Sequence, residues 1–358
     1  MTTRKRKTGK KVGGAAAGRR RRRVWTRYSD ERLLELQLRE LDLRIERTPL
    51  SRRVRRLYEE LEGREVPVKP HVWLSNEWFS PDGVPGIAIP FYLAHPRLVK
   101  LEARQMLEVE GGTEATCMRI LRHEAGHAID SAYRLHFKKS WREMFGHYSQ
   151  PYPRFYRPRP NSRSFVLHLD SWYAQAHPAE DFAETFAVWL TPRSNWRRQY
   201  KDWPIALSKL EYVDELMRTI AGTAPKVRSL AKIDPLPKLS MTLQQYYRKK
   251  RAHYGASWPD IYDRDLLRLF SNERRYASRP TAASFLRKIR PKVRGAVAEW
   301  TSAHTYTVDH VLQDMIERCR QLKLRLATAP AQAKTQAMIL LTVHTMNCLH
   351  ARRHEIPI

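Results

Sequence analysis

After residue 23, apolar residues recur at helical spacing and predict two amphipathic helices. We expect Pro49 to end the first helix, and the second to begin at a Ser51 cap and to stop at Gly63. The first apolar stripe consists of Leu34, Leu38, Leu41 and Ile45, and the second of Val54, Leu57, Tyr58 and Leu61. Residues 24–66 are therefore interpreted as a helical arm whose apolar side packs on the rest of the protein.

From residue 66 the apolar pattern becomes typical of β-strands. One strand is predicted around Val66 to Trp73, and another over Pro85 to Leu93. Because a proline cannot donate a hydrogen bond to a sheet, the second strand is expected at the edge of a small sheet. Such an edge could bind an extended peptide as an additional strand, or its prolines could serve only to prevent aggregation. The sequence leaves both interpretations open.

Helical patterns return after Gly111-Gly112 and dominate the chain beyond Pro204. Thr113 can cap a helix that contains Gly126, and a glycine inside a helix costs roughly 1 kcal/mol relative to alanine. We interpret Gly126 as a point of close packing or of substrate approach. The downstream helical signals are a Thr281 cap, an apolar stripe over residues 308–322 and a last helix over residues 331–350.

The composition is that of a folded protein without a membrane span. Of the 358 residues, 42% are hydrophobic and 29% are charged. No run approaches the roughly 18 consecutive apolar residues that a membrane span needs, and no apolar segment typical of a secretory signal follows the basic N-terminus. Three cysteines, Cys117, Cys319 and Cys348, are too few and too scattered for a disulfide framework or a cysteine zinc site. We therefore expect a cytoplasmic protein.

Positive charge is concentrated at the N-terminus. The net charge is +29, and residues 1–23 contain eleven Lys or Arg residues and no acidic residue. This basic tail is predicted to be disordered, and it could bind nucleic acid or serve only to increase solubility. Residues 137–171 combine aromatic, Arg and Pro residues and are expected to form a long surface excursion. That excursion could shape access to a site or bind single-stranded nucleic acid.

The clearest chemical signal is the segment Leu121 to Asp130, which contains His123, Glu124 and His127 in the order HExxH. On an α-helix the two histidines lie on one face, where two imidazoles can bind one zinc ion at about 2.0–2.1 Å. Glu124 can then reach a water held by that metal. The same pattern also occurs by chance on solvent-facing helices, so a third protein ligand is the discriminating feature.

The extended HExxHxxGxxH motif of metzincins is excluded. It requires a glycine and a histidine at the two positions that Asp130 and Tyr133 occupy in this chain. The third ligand must therefore come from elsewhere.

We place the third ligand at Glu180, on a helix that Pro178 begins and Thr191-Pro192 ends. Glu184 lies one helical turn later on the same face, and two stacked carboxylates repel each other unless a cation lies beside them. A zinc ion and its histidines would provide that cation, and Glu184 would accept the distal N–H of a zinc-binding histidine. The alternative ligands that remain are Asp130, His168 and His177.

Together the two motifs resemble those of the gluzincin metallopeptidases, whose third zinc ligand is a glutamate on a second helix. The nearer resemblance is to a family of zinc-binding metallopeptidases and to the catalytic domain of the lethal-factor type. That pattern has a tyrosine seven residues before the first glutamate of E-x-F-A-E-x-F, and here Tyr173 precedes Glu180 by seven residues. The similarity covers about Leu121 to Leu190.

The resemblance implies a role for each matching residue. It implies that His123, His127 and Glu180 bind zinc, that Glu124 is the general base and that Tyr173 stabilises the oxyanion. A position of Tyr173 in the core without chemical function remains an alternative. The long gap between the motifs departs from the toxin relatives, so no substrate is implied.

These observations predict an α+β, predominantly helical fold with a small edge-strand sheet. A zincin-like metallopeptidase core is expected over residues 67–200, followed by a helical C-terminal lobe over residues 201–358. The predicted function is hydrolysis of peptide bonds by a zinc-activated water, with one Zn²⁺ per chain and Glu124 as general base. The alternative is a nucleic-acid-associated basic protein with a structural or catalytically idle zinc site. The substrate and the oligomeric state stay open.

Overall fold

The computed structural model describes residues 24–153, 155–156, 159, 162–254, 262–351 and 356–357. The predicted basic tail, residues 1–23, lies outside the described residues, as do parts of the predicted surface excursion. Within the described ranges the chain is predominantly helical, and no helix there combines the length and apolar character needed to cross a bilayer. The helices are α1 (Asp30–Leu34), α2 (Pro49–Glu62), α3 (Pro96–Met106), α4 (Glu114–Tyr133), α5 (Lys139–Phe145), α6 (Pro178–Leu190), α7 (Trp196–Gln199), α8 (Pro204–Ile220), α9 (Leu243–Tyr254), α10 (Asp263–Leu269), α11 (Ala282–Thr301), α12 (Thr305–Gln321) and α13 (Pro330–Ala351).

The strands of the described residues are short and form three separate pairs. β1 (His71–Ser75) and β2 (Gly86–Pro90) are parallel, in a register that joins His71 to Gly86 and Ser75 to Pro90. β3 (Phe155–Tyr156) pairs with β6 (Ile356–Pro357), and β4 (Phe270–Ser271) pairs with β5 (Arg325–Leu326), both antiparallel. The predicted combination of many helices with a small sheet is therefore confirmed.

The second strand lies at the edge of its two-stranded sheet, as predicted, but the side of this edge away from β1 is covered. All five residues of β2 are buried, and the N–H of Ala88 donates to the carbonyl of Phe79 at 2.8 Å on the side away from β1. The loop that contains Phe79 also contacts α4, because the Ser80 hydroxyl donates to the Glu124 carbonyl at 3.0 Å. A neighbouring loop thus takes the position that the sequence left open for a peptide.

The first predicted helix also differs from the structure. α1 ends at Leu34, and a 3-10 turn over Leu38–Leu41 replaces the rest of the expected helix. The N–H groups of Leu38 and Arg39 donate to the carbonyls of Met241 and Leu239, both at 3.0 Å. These hydrogen bonds to a distant segment take the place of the helical ones. α2 begins at Pro49 after Thr48 and ends before Gly63, so its end was predicted correctly and its Ser51 cap was not.

Helices α4 and α6 form where the local signals predict them. Thr113 caps α4, since its hydroxyl accepts the N–H of Thr116 at 3.1 Å. Pro178 occupies the first turn of α6, which ends at Leu190 before Thr191-Pro192. Gly126 lies where the two helices cross, and a Cβ atom there would be 2.8 Å from the Cα of Ala183. The missing side chain therefore allows the two helices to approach backbone to backbone.

The predicted surface excursion over residues 137–171 contains a short helix with one buried face, which was not expected. Trp141 and Phe145 lie on one face of α5 and are 0% and 8% exposed. Their rings pack against Phe182 of α6 at centroid distances of 5.8 and 5.4 Å. Their apolar burial fixes α5 against α6.

Buried apolar side chains form two clusters in the described residues. The first extends from Trp25 to Tyr247 and contains α4 and α6, and the second extends from Tyr262 to Cys348 in the C-terminal helices. Thr281 caps α11 as predicted, through a hydrogen bond from the Ser284 N–H at 3.2 Å. The boundaries proposed at residues 67 and 201 stay predictions.

The crossing at Gly126 predicts opposite effects for two glycine-to-alanine substitutions. Gly126→Ala should lower the free energy of unfolding, because overpacking of about 1–3 kcal/mol outweighs the helix-propensity gain of about 1 kcal/mol. Gly295 of α11 is the control, since a Cβ there meets no atom within 4 Å. Gly295→Ala should stabilise the protein by about 0.5–1 kcal/mol in urea unfolding. Equal stabilisation by both substitutions would contradict the proposed contact.

Candidate metal centre

His123 and His127 lie one turn apart on α4, and the Nε2 atoms of their rings face each other. Their Nε2 atoms are 3.1 Å apart. His123 is 3% exposed, and the side chain of His127 is 16% exposed. The predicted placement of both imidazoles on one helical face is therefore observed, at the point where α4 faces α6.

Glu180 brings a carboxylate oxygen from α6 to this pair. Its Oε2 lies 3.0 Å from Nε2 of His123 and 3.3 Å from Nε2 of His127. Three donors that each lay about 2.0–2.1 Å from a tetrahedral zinc ion would be about 3.3–3.4 Å apart. The two nitrogens and one oxygen therefore fit a zinc site in donor type and approximately in spacing.

Glu184, one turn after Glu180, fixes the orientation of His123. Its Oε1 lies 2.7 Å from Nδ1 of His123, and its Oε2 accepts the N–H of Leu169 at 2.7 Å. Because an ionised carboxylate can only accept, Nδ1 carries a hydrogen, and Nε2 is the nitrogen that can bind either a proton or a metal. This contact is the one expected of Glu184, although the sequence did not indicate which histidine it would reach.

The electrostatics of the cluster favour a positive charge between these side chains. Burial alone would lower the pKa of His123, but the hydrogen bonds and charges of Glu180 and Glu184 outweigh it and raise that pKa well above the ordinary value. Burial would also lower the pKa of His127, but the charge and hydrogen bond of Glu180 raise it. Burial would raise the pKa of Glu180, yet the two histidines hold it well below its usual range. Either protons or a metal ion can supply the charge that this arrangement requires.

Glu124 lies beside the three donors without joining them. It is 7% exposed, and its Oε2 is buried with no hydrogen-bond partner in the described part of the chain. Leaving a buried polar atom unpaired typically costs about 1–3 kcal/mol. Burial raises the pKa of Glu124, while the neighbouring His123 and His127 oppose that rise. A group that contacted this oxygen would therefore displace no hydrogen-bond partner of the described residues.

The ring of Tyr173 packs beside the ring of His123, with centroids 5.6 Å apart. Burial and the negative charges of Glu180 and Glu124 raise its pKa well above the ordinary value. Its hydroxyl therefore stays protonated and can donate a hydrogen bond. Tyr173 is half-buried, which is compatible with both the chemical and the packing interpretation.

Tyr152 is a site residue that the sequence analysis missed. Its hydroxyl donates to Oε1 of Glu180 at 2.8 Å, and the side chain is 48% exposed. No motif identifies it, because it comes from a loop that reaches the site only in the folded chain. The aromatic-rich composition of residues 137–171 was its only signal.

The alternative ligands have other partners. Nε2 of His168 lies 2.9 Å from the Arg119 carbonyl, and His177 caps α6 by accepting the N–H of Ala179 at 3.1 Å. Asp130 accepts the backbone N–H of His136 at 3.0 Å and also contacts its ring. Among the described residues, one group of three or more His, Cys, Asp or Glu residues has ligand atoms within 4.8 Å of one another: His123, His127 and Glu180.

Comparison with known proteins agrees with this geometry. Residues 103–216 match the model of a family described as "Putative zinc-binding metallo-peptidase". The matched range contains α4, α6 and every residue of the candidate metal centre. No curated protein and no solved structure is significantly similar to the chain. At the level of the family, the match supports a zinc peptidase.

Proposed function

We propose that this chain is a zinc-dependent metallopeptidase of the gluzincin type, with His123, His127 and Glu180 as the metal ligands. The observation that carries the proposal is the meeting of two imidazole nitrogens and one carboxylate oxygen within 3.0–3.3 Å of one another. The ligands come from two helices that Gly126 allows to touch. The likeness to the lethal-factor type and the zincin-like character of the core belong to the same proposal.

Two features favour a catalytic over a structural site. Structural zinc sites are closed by four protein ligands, whereas catalytic sites have three and keep one position open. The cluster found in the described residues has three members. Next to it lies the Glu124 carboxylate, which has a buried oxygen without a partner. A structural site would not need that carboxylate.

The proposed reaction assigns one task to each side chain. A bound zinc ion would supply a Lewis acid that polarises the scissile carbonyl and lowers the pKa of water in the site. Glu124 takes a proton from the attacking water and delivers it to the leaving amine. Its burial suits this exchange, because a raised carboxylate pKa brings the base closer to the working pH. Tyr173 donates to the developing oxyanion, a contribution typically worth about 3–4 kcal/mol.

Glu124→Gln tests the assignment of the base. The variant keeps the size of the side chain but cannot accept the proton, so peptide hydrolysis should fall by about 10²–10⁴-fold. Zinc content, measured by inductively coupled plasma mass spectrometry, should equal that of the wild type. Glu114→Gln, at the exposed start of the same helix, is the control and should leave both readouts unchanged. Undiminished hydrolysis by Glu124→Gln would refute the role of Glu124.

Glu184→Gln tests the support of His123. A neutral amide is a weaker acceptor for the Nδ1 hydrogen, so zinc affinity should fall by about 10–100-fold in competition with a chromogenic chelator. His168→Gln is the control, because His168 bonds the Arg119 carbonyl and lies outside the metal cluster. Equal losses of affinity in the two variants would show that Glu184 has no special part in metal binding.

A further inference from the structure

The two oxygens of Glu180 have different partners. Oε2 lies between the two histidines, and Oε1 accepts a hydrogen bond from the Tyr152 hydroxyl at 2.8 Å. A carboxylate can bind a metal through one oxygen or through both. If both oxygens of Glu180 turned toward the metal, they would compete for the position that a catalytic site keeps for water or substrate. What controls the orientation of this carboxylate therefore matters for the proposed site.

The position of Tyr152 is fixed by the same helix that carries Glu180. Its ring stacks on the ring of His177 with a centroid distance of 3.9 Å and an interplanar angle of 20°. His177 is itself immobilised, since its Nδ1 accepts the N–H of Ala179 at the start of α6. Nδ1 is the acceptor, so Nε2 carries the hydrogen and donates to the Gln150 carbonyl at 2.9 Å.

Both contacts to the Tyr152 loop are made by His177, three residues before Glu180. Its ring stacks on the ring of Tyr152, and its Nε2 holds the backbone of the loop two residues earlier, at Gln150. The hydroxyl is thereby placed beside Oε1 by contacts that do not involve the metal. A group held in this way can orient a ligand before the metal arrives.

We propose that Tyr152 is a positioning residue of the metal centre, whose hydroxyl holds Oε1 of Glu180 so that only Oε2 faces the metal. This inference rests on the proposed function, because it requires that Glu180 is a ligand. Tyr152 does not act on the substrate in this role. By holding Oε1, it would leave one position of a bound metal free for water or substrate.

Tyr152→Phe is the direct test, because it keeps the stack on His177 and removes only the hydroxyl. Tyr148→Phe is the matched control from the same loop: Tyr148 stacks on His136 at 4.0 Å, and its hydroxyl donates to Asp82 rather than to Glu180. Both variants and the wild type are stripped of metal and titrated with Zn²⁺ against a chromogenic chelator. Each is then loaded with Co²⁺ for visible spectroscopy, and the melting temperature of each metal-free protein is compared.

In Tyr152→Phe we expect zinc affinity to fall by about 10-fold or more, as is typical when a partner of a metal ligand is lost. The cobalt absorption should become weaker, because five-coordinate Co²⁺ absorbs less visible light than four-coordinate Co²⁺. A change in either readout that is absent from Tyr148→Phe supports the proposal. The proposal is overturned if both readouts match the wild type, or if Tyr148→Phe changes them equally.

The melting temperatures of the metal-free proteins show whether the substitution destabilises the fold itself. If Tyr152→Phe melts like Tyr148→Phe before metal is added, a difference in metal binding arises at the site. A selective loss of stability in the metal-free Tyr152→Phe protein would overturn the positioning role in favour of a packing role. Failure of the wild type itself to bind Zn²⁺ would instead overturn the proposed function, and with it this inference.

Discussion

The contact between α4 and α6 at Gly126 is the constraint on which the candidate site depends. At this crossing a Cβ atom would lie 2.8 Å from the Cα of Ala183, so only glycine permits the observed separation. His123 and His127 lie within three residues of Gly126 on α4, and Glu180 lies three residues before Ala183 on α6. The short distances between their side chains follow from this approach. A wider helix separation would move the carboxylate beyond the reach of an ion held by the histidines.

A buried charge is costly to leave unpaired. In this site the side chains that could bind the metal are paired with one another, and a second set of side chains pairs with them. Glu180 faces the ring nitrogens directly, and Glu184 holds His123 from behind. Tyr152 in turn contacts the outer oxygen of Glu180. Glu124 is the exception, since its buried Oε2 has no partner in the described part of the chain. The unpaired group therefore lies where the proposed reaction needs a proton acceptor.

The sequence predicted the parts of the site that local signals determine. The bounds of α6, the Thr113 cap and the close packing at Gly126 follow from proline, threonine and glycine at positions with few conformational choices. The spacing of the histidines follows from the helical period. These rules act over one or two turns, so a sequence is sufficient to apply them. Glu180, which the sequence favoured over the other candidate ligands, has its carboxylate beside both histidines, and its role as a ligand is part of the proposal.

The sequence missed what depends on contacts between distant segments. The early end of α1 reflects hydrogen bonds from Leu38 and Arg39 to residues near position 240, which no local pattern reveals. β2 is covered because a loop folds back onto it, and Tyr152 reaches Glu180 from a loop outside both motifs. Nucleic-acid binding through residues 1–23, the cytoplasmic location and the domain boundaries remain predictions from composition and pattern.

The central claim is that Glu180 crosses from α6 to complete a metal site begun by two histidines of α4. The most direct measurement is the zinc content of purified wild-type protein and of Glu180→Ala, by inductively coupled plasma mass spectrometry after dialysis. Our account predicts about one zinc ion per wild-type chain and a large loss of zinc in the variant, with both proteins folded. A wild type without any divalent metal, or a variant that retains the full amount, would contradict it.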